Sequence, residues 1–164
     1  ASVGAALVHF FLQIIVLAAA LLFFHHEPNW QALALLPFAL LTVVLFVTAG
    51  ALSLSVLNVY YRDVQHLLEV TLLAWFWLTP VVYNHSLVAS RLGDNDWIAF
   101  LNPATSIVLL FQRALHNTPP GYIPDVSLWY YFRNVSIIFV VSFVFLALSF
   151  RLFRRLDGQL AERI

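Results

Sequence analysis

Cysteine, methionine and lysine are all missing from this 164-residue chain, and charge of either sign is scarce. Without cysteine there are no disulfides, thiolate nucleophiles or thiolate metal sites. Without lysine there is no phosphate-binding P-loop, which needs that side chain on the nucleotide phosphates, so ATP hydrolysis through that motif is excluded. No H-E-x-x-H or G-x-S-x-G run appears either. The eight basic residues, every one an arginine, balance eight acidic ones. A net charge of zero leaves no basic field to attract nucleic acid.

What the chain has instead is apolar surface. Hydrophobic residues make up 62% and charged residues 10%, against about a quarter charged in soluble domains. A water-soluble core cannot absorb so much, so part of it must face lipid. At a rise of 1.5 Å per residue, about 20 apolar residues cross a hydrocarbon core of roughly 30 Å. Four segments reach that length, at about 5–24, 31–57, 65–83 and 130–150. The expected fold is therefore all-α, a single polytopic membrane bundle with four spans here. The second segment is long enough to require tilt or a kink, for which Pro37 is the evident point. The chain opens at Ala1 in an apolar run with no initiating methionine, so an N-terminal part is expected to be missing.

Arginine placement sets the expected orientation. Arg151, Arg154, Arg155 and Arg163 argue for a cytoplasmic tail at 151–164, which puts the turn with Arg62 on the same side. Residues 25–30 and 84–129 then lie outside. Trp30, Tyr60, Tyr61, Tyr83, Trp129 and Tyr130 fall at span ends, as interfacial aromatics do. Within the external stretch, Asp94-Asn95-Asp96 is expected to cap a short helix, Asn102-Pro103 to end it, and Thr105 to cap a second one. The region 94–117 is too short to span yet too apolar for a free loop. It reads as a re-entrant helical pair, shielded by protein or a watery cavity.

Several residues invite chemistry. His25-His26-Glu27 is a metal-like cluster, but adjacent residues on a short loop rarely converge on one ion, and a solvated loop is the plainer reading. His9 and Gln13, four apart, are expected to turn toward the bundle interior, either along a watery path or as an interhelical hydrogen bond. Arg62, His66 and Glu69 form one stripe if a helix begins near Arg62, serving a cytoplasmic gate or a self-satisfied ion pair. Trp75, Phe76 and Trp77 project about 100° apart, so at least one faces away from lipid, lining a carbohydrate path or packing against helices. Thr48, Ala51 and Ser55 make a small-residue face suited to close helix approach.

The run NVYYRDVQHLLEVTLLAWFWLTPVVY resembles the permeases of ABC-2 type exporters, most closely the polysaccharide branch that moves O-antigen, teichoic acid and other lipid-linked glycans. The matching positions are Tyr61, Arg62, Asp63 and Val64 in the turn, then Thr79, Pro80 and Tyr83. Further on they are Asn102, Pro103 and Arg113. The resemblance implies a permease of six spans, of which these are the third to sixth. It also implies a homodimer paired with two cytoplasmic P-loop ATPases that bind ATP and Mg, this chain holding no cofactor and no metal. The localisation so implied is the bacterial inner membrane. Trp75, Trp77, Tyr83, His9 and Gln13 become candidates for the substrate conduit. Tyr61, Arg62, Asp63, His66 and Glu69 become candidates for the gate or ATPase contact, and Asn102, Pro103 and Arg113 for holding the external pair. The family's N-terminal amphipathic helix, first two spans and main coupling loop have no counterpart in this sequence. The arginine-only basic complement fits a GC-rich bacterial genome, which adds a cell-wall galactan to the candidate cargoes. Drug or lipid efflux by the same architecture, gradient-driven secondary transport and intramembrane enzymology are the competing readings. No carboxylate falls at a span midpoint to favour the second, and no acid–base or metal arrangement favours the third.

Overall fold

The computed structural model describes residues 2–23, 28–61, 63–115, 123–124 and 126–160. Among them there is no strand. Seven α-helices follow in order: α1 (Ser2–Phe23), α2 (Trp30–Leu33), α3 (Leu36–Tyr60), α4 (Val64–Leu78), α5 (His85–Leu92), α6 (Pro103–Leu115) and α7 (Leu128–Leu160). A 3₁₀ segment, Gly93–Leu101, joins α5 to α6. The all-α polytopic bundle expected from composition is what folds. The stretches Gly4–Phe23, Trp30–Ser55 and Leu128–Arg151 are long and apolar enough to cross a membrane.

The second apolar segment is not one helix. Asn29 caps the short α2, its Oδ1 accepting from Ala32 N at 3.1 Å, and the chain turns at Ala34 and Leu35 before α3 starts. Pro37 sits in the first turn of α3 rather than kinking a continuous span. Proline suits that position because its missing N–H would have had no partner there. The third segment also departs from expectation. Helix α4 begins at Val64 and stops at Leu78 rather than 83. Its 15 residues extend about 22 Å, short of a hydrocarbon core of roughly 30 Å. At the other extreme α7 runs 33 residues, straight through Arg151 into the tail.

The main packing unit is the pair α3 and α7, which run in the same direction. Phe38 stacks between Phe132 and Phe139, with ring centroids 5.9 and 5.4 Å away, and Ser53 meets Ser149 at the other end. Buried positions on α3 are Ala39, Thr42 and Ala49, and on α7 Tyr131, Val135, Ser142 and Ser149. These recur every three, four or seven residues, the spacing of a knobs-into-holes seam. The face expected at Thr48, Ala51 and Ser55 is displaced to the neighbouring stripe. Ser55 is exposed and bonds back to Leu52 O. Lipid tails are as apolar as leucine, so helices in a bilayer gain little from hiding leucine. Small residues instead let the backbones approach and pack. Ser149 donates to Phe145 O at 2.8 Å, which leaves the Ser53 hydroxyl to donate to Ser149 Oγ at 2.6 Å.

The buried cluster lies at the other end of this pair, where α2, α6 and the starts of α3 and α7 meet. Leu109, Leu110 and Ala114 of α6 face Ala32, Leu36 and Tyr131 there. The Asn29 N–H donates to Ala114 O, giving the last turn of α6 a partner. Helix α1, by contrast, has none of its apolar window buried within the chain. Replacing Ala49 by leucine should force the α3–α7 seam apart. It should lower stability by about 1–3 kcal/mol and be seen as a lower Tm for the detergent-solubilised protein, whereas Val47→Leu on the exposed face should leave Tm unchanged.

Candidate functional site at the junction of α4 and α6

The chain leaves α4 at Leu78 and turns through Thr79–Asn84 before α5. Thr79 and Pro80 are buried in this turn although almost all of α4 is exposed. Thr79 is tied there to Asn102, 23 residues further on. The Trp75 indole N–H donates to Asn102 Oδ1 at 2.8 Å, and Asn102 Nδ2 donates to Thr79 Oγ1 at 2.9 Å. The Thr79 hydroxyl in turn donates to Trp75 O at 2.9 Å. Asn102 also starts α6: its Oδ1 accepts from Ala104 N and its carbonyl accepts from Thr105 N. The cap expected at Thr105 is therefore one turn-start earlier, and Thr105 lies buried inside the helix with its Oγ1 unpaired. A second tie runs from Gln112 Nε2 on α6 to Pro80 O at 3.0 Å.

These bonds enclose one side of an open groove of about 690 Å³ between α4, α5 and the 3₁₀ segment. Trp75, Tyr83, Asn102 and Pro103 line it with Leu78, Leu92 and Leu101. Five residues singled out by sequence, Pro80 among them, thus line one groove. Trp75 is half-buried, its edge against Phe46 of α3, whereas Trp77 is 62% exposed and points away. Tyr83 lies beyond α4, its hydroxyl donating back to Trp77 O at 2.9 Å.

The other candidates are not brought to this groove. His9 and Gln13 are both exposed, so the interior orientation expected of them is not the one α1 adopts. A second groove of about 930 Å³, between α1, α3 and α6, is lined from α1 by Phe10, Leu17, Ala20 and Leu21 instead. Arg62 lies outside the described residues, as do His25, His26 and Glu27. Of the expected stripe, the described residues His66 and Glu69 have Nδ1 and Oε2 3.9 Å apart on an exposed face. Tyr61 and Asp63 are exposed in the turn before it. Arg113 holds the connection into α7: its Nη1 donates to Val126 O at 2.6 Å while the guanidinium lies 5.5 Å from the Tyr131 ring centre. The 3₁₀ segment and α6 are bent by 96° at Asn102, a broken span or a re-entrant loop by shape.

Comparison with known proteins decides what kind of chain this is. Residues 1–116 match the family model for the ABC-2 type transporter membrane domain. The chain belongs to the ABC-2 type transporter family. An O-antigen export system permease protein of Klebsiella pneumoniae is 23% identical over 94% of this chain and 54% of its own length. A second one from that organism is 21% identical over the same shares. One from Myxococcus xanthus is 32% identical over 54% of this chain and 34% of its own length. The chain spans about half the length of the Klebsiella relatives it matches. No solved structure matches it.

In this ABC-2 chain the structure also pairs two residues that sequence reasoning did not connect. His85, at the start of α5, is 3% exposed, and its Nε2 lies 3.3 Å from Asp96 Oδ1 in the 3₁₀ segment. The imidazole packs on Phe100, which meets Tyr130 of α7 edge-on, and Arg133 lies over the Tyr130 ring. Helix α5 ends at Gly93, whose positive φ of 54° favours glycine. Asp96 entered the sequence reading only as part of the expected Asp94-Asn95-Asp96 cap, whereas it lies inside the 3₁₀ segment that begins at Gly93. Burial pushes the His85 imidazole below its ordinary value near 6.5, with the Asp96 carboxylate acting in the opposite sense. The unfolded chain therefore binds the proton more readily, and the stability of this unit is full above pH 6.5 and falls as pH drops toward the folded value. Amide protection factors across α5 should fall as pH drops below 6.5, by about what one titrating histidine allows. In His85→Gln that loss of protection should vanish.

Proposed function

We propose that this chain is part of the membrane-spanning permease subunit of an ATP-driven exporter that moves lipid-linked polysaccharide across a bacterial inner membrane. The observation that carries this reading is the likeness to O-antigen export permeases along 94% of the chain, added to the family match. Such a permease does no hydrolysis itself. ATP and Mg are held by two P-loop ATPase subunits on a permease homodimer, which suits a chain with no lysine to build that loop. The arginine-bearing end of α7 lies in the cytoplasm, in keeping with the excess of arginine on that side. The bent pair at Asn102 then lies toward the outside, where its broken backbone is tolerated because Trp75, Thr79 and Pro80 shield it.

For the conduit the geometry separates the two tryptophans. Trp75 spends its N–H on Asn102, whereas Trp77 presents an exposed ring, the surface on which a sugar stacks. Lipid or drug efflux by the same architecture is favoured by one feature, the largely apolar lining of the groove beneath Trp75.

Full-length protein co-expressed with its neighbouring gene products should purify with a P-loop ATPase in near one-to-one ratio. Lipid-linked polysaccharide should raise ATP hydrolysis several-fold, and Trp77→Ala should reduce that stimulation with basal hydrolysis kept. Stimulation by lipids or drugs but not by the glycan would transfer the assignment to efflux. A protein that purifies alone, without nucleotide dependence, would remove the permease reading.

A further inference from the structure

Helix α4 has no buried residue of its own. Among the described residues its side-chain hydrogen bonds to other elements start only from Trp75, near its last turn, and continue through Thr79 and Pro80 just beyond it. The opposite end, from Asp63 to Glu69, is largely exposed. Among the described residues helix α4 is thus a rod of about 22 Å fastened at its Thr79 end. Both fastenings lead to α6: Asn102 caps its first turn and Gln112 sits on its third. Helix α6 is in turn set firmly against α3 and α7 through Leu109, Leu110 and Ala114.

We infer that α4 is a lever and that the Thr79–Asn102 and Pro80–Gln112 hydrogen bonds are its pivot, converting displacement of the Asp63–Glu69 end into movement of α6. Thr79, Asn102 and Gln112 are then positioning residues for transport. Two polar ties ten residues apart, one at the cap of α6 and one on its third turn, fix the end of the rod to α6 at two points, so a tilt of the rod is passed on rather than lost to sliding. Thr79 matters through its hydroxyl, which accepts from Asn102 and donates to Trp75 O at once. This inference rests on the permease reading, because an ATPase partner must supply the displacement.

The test uses the full-length transporter reconstituted with its ATPase in nanodiscs. This chain holds no cysteine, so spin labels placed in it go only where cysteines are introduced. One label pair, Leu67→Cys with Val144→Cys, reports the free end of α4 against α7. A second, Leu101→Cys with Val144→Cys, reports the start of α6. In wild type, trapping with ADP and vanadate should shift both distances. In Thr79→Val/Gln112→Met the first shift should persist and the second should fall to about half or less, with ATP hydrolysis within about twofold of wild type. Thr79→Ser with Gln112 intact should restore both shifts. Equal shifts in the double variant and wild type would overturn the lever, and so would a wild type that hydrolyses ATP while neither distance moves. Should the double variant not fold, Thr79→Val alone gives the same reading at smaller amplitude. A wild type with no ATP hydrolysis would instead count against the permease reading itself.

Discussion

Four hydrogen bonds meet at Asn102, three on its side-chain amide and one on its carbonyl. The constraint behind this is simple. Every break in a helix leaves N–H and C=O groups without partners, and apolar surroundings offer none. The chain breaks twice here, after Leu78 and after Leu101. An amide that offers a carbonyl acceptor and an NH₂ donor serves both breaks at once. Asparagine is short enough to reach its own following backbone, and Pro103 after it gives up an N–H that would have had no partner.

The rest of the bundle is arranged around what can and cannot hold helices together in lipid. Where α3 and α7 lie along one another, alanine, threonine and serine replace the leucines of a soluble core, and a serine pair adds one bond. Where side chains are large and fully buried, as at Tyr131, Leu109 and Leu110, several short elements converge at one end of the pair. Helices α1 and α4 take part in neither arrangement and show their apolar side chains outward. Such faces suit lipid or further helices of the longer proteins that these ABC-2 chains resemble.

Charge follows the same division. Arginines sit at element ends, where Arg113 fastens the connection into α7 and Arg133 and Arg154 lie over aromatic rings. The buried His85 and its half-buried partner Asp96 belong to the short elements between α4 and α6, away from the long spans. That unit is therefore sensitive to pH through His85, and it adjoins the groove beneath Trp75.

Apolar run length and the lack of lysine and cysteine were enough to give an all-α membrane chain without a P-loop, because both are properties of local composition. Thr79 and Pro80 were visible as residues of interest through the family resemblance, and Asn102-Pro103 also as a helix stop, since turn chemistry is written in short words. Their partners were not. That Trp75 bonds an asparagine 27 residues away depends on where the intervening elements carry it. The same holds for the seam running through Ala49 rather than Thr48, where one residue's shift turns a helix face by about 100°. The outward turn of His9 and Gln13 and the burial of His85 beside Asp96 likewise follow from packing partners. Periodicity specifies that a helix has a face. Which face is covered, and by what, is decided only when the helices meet.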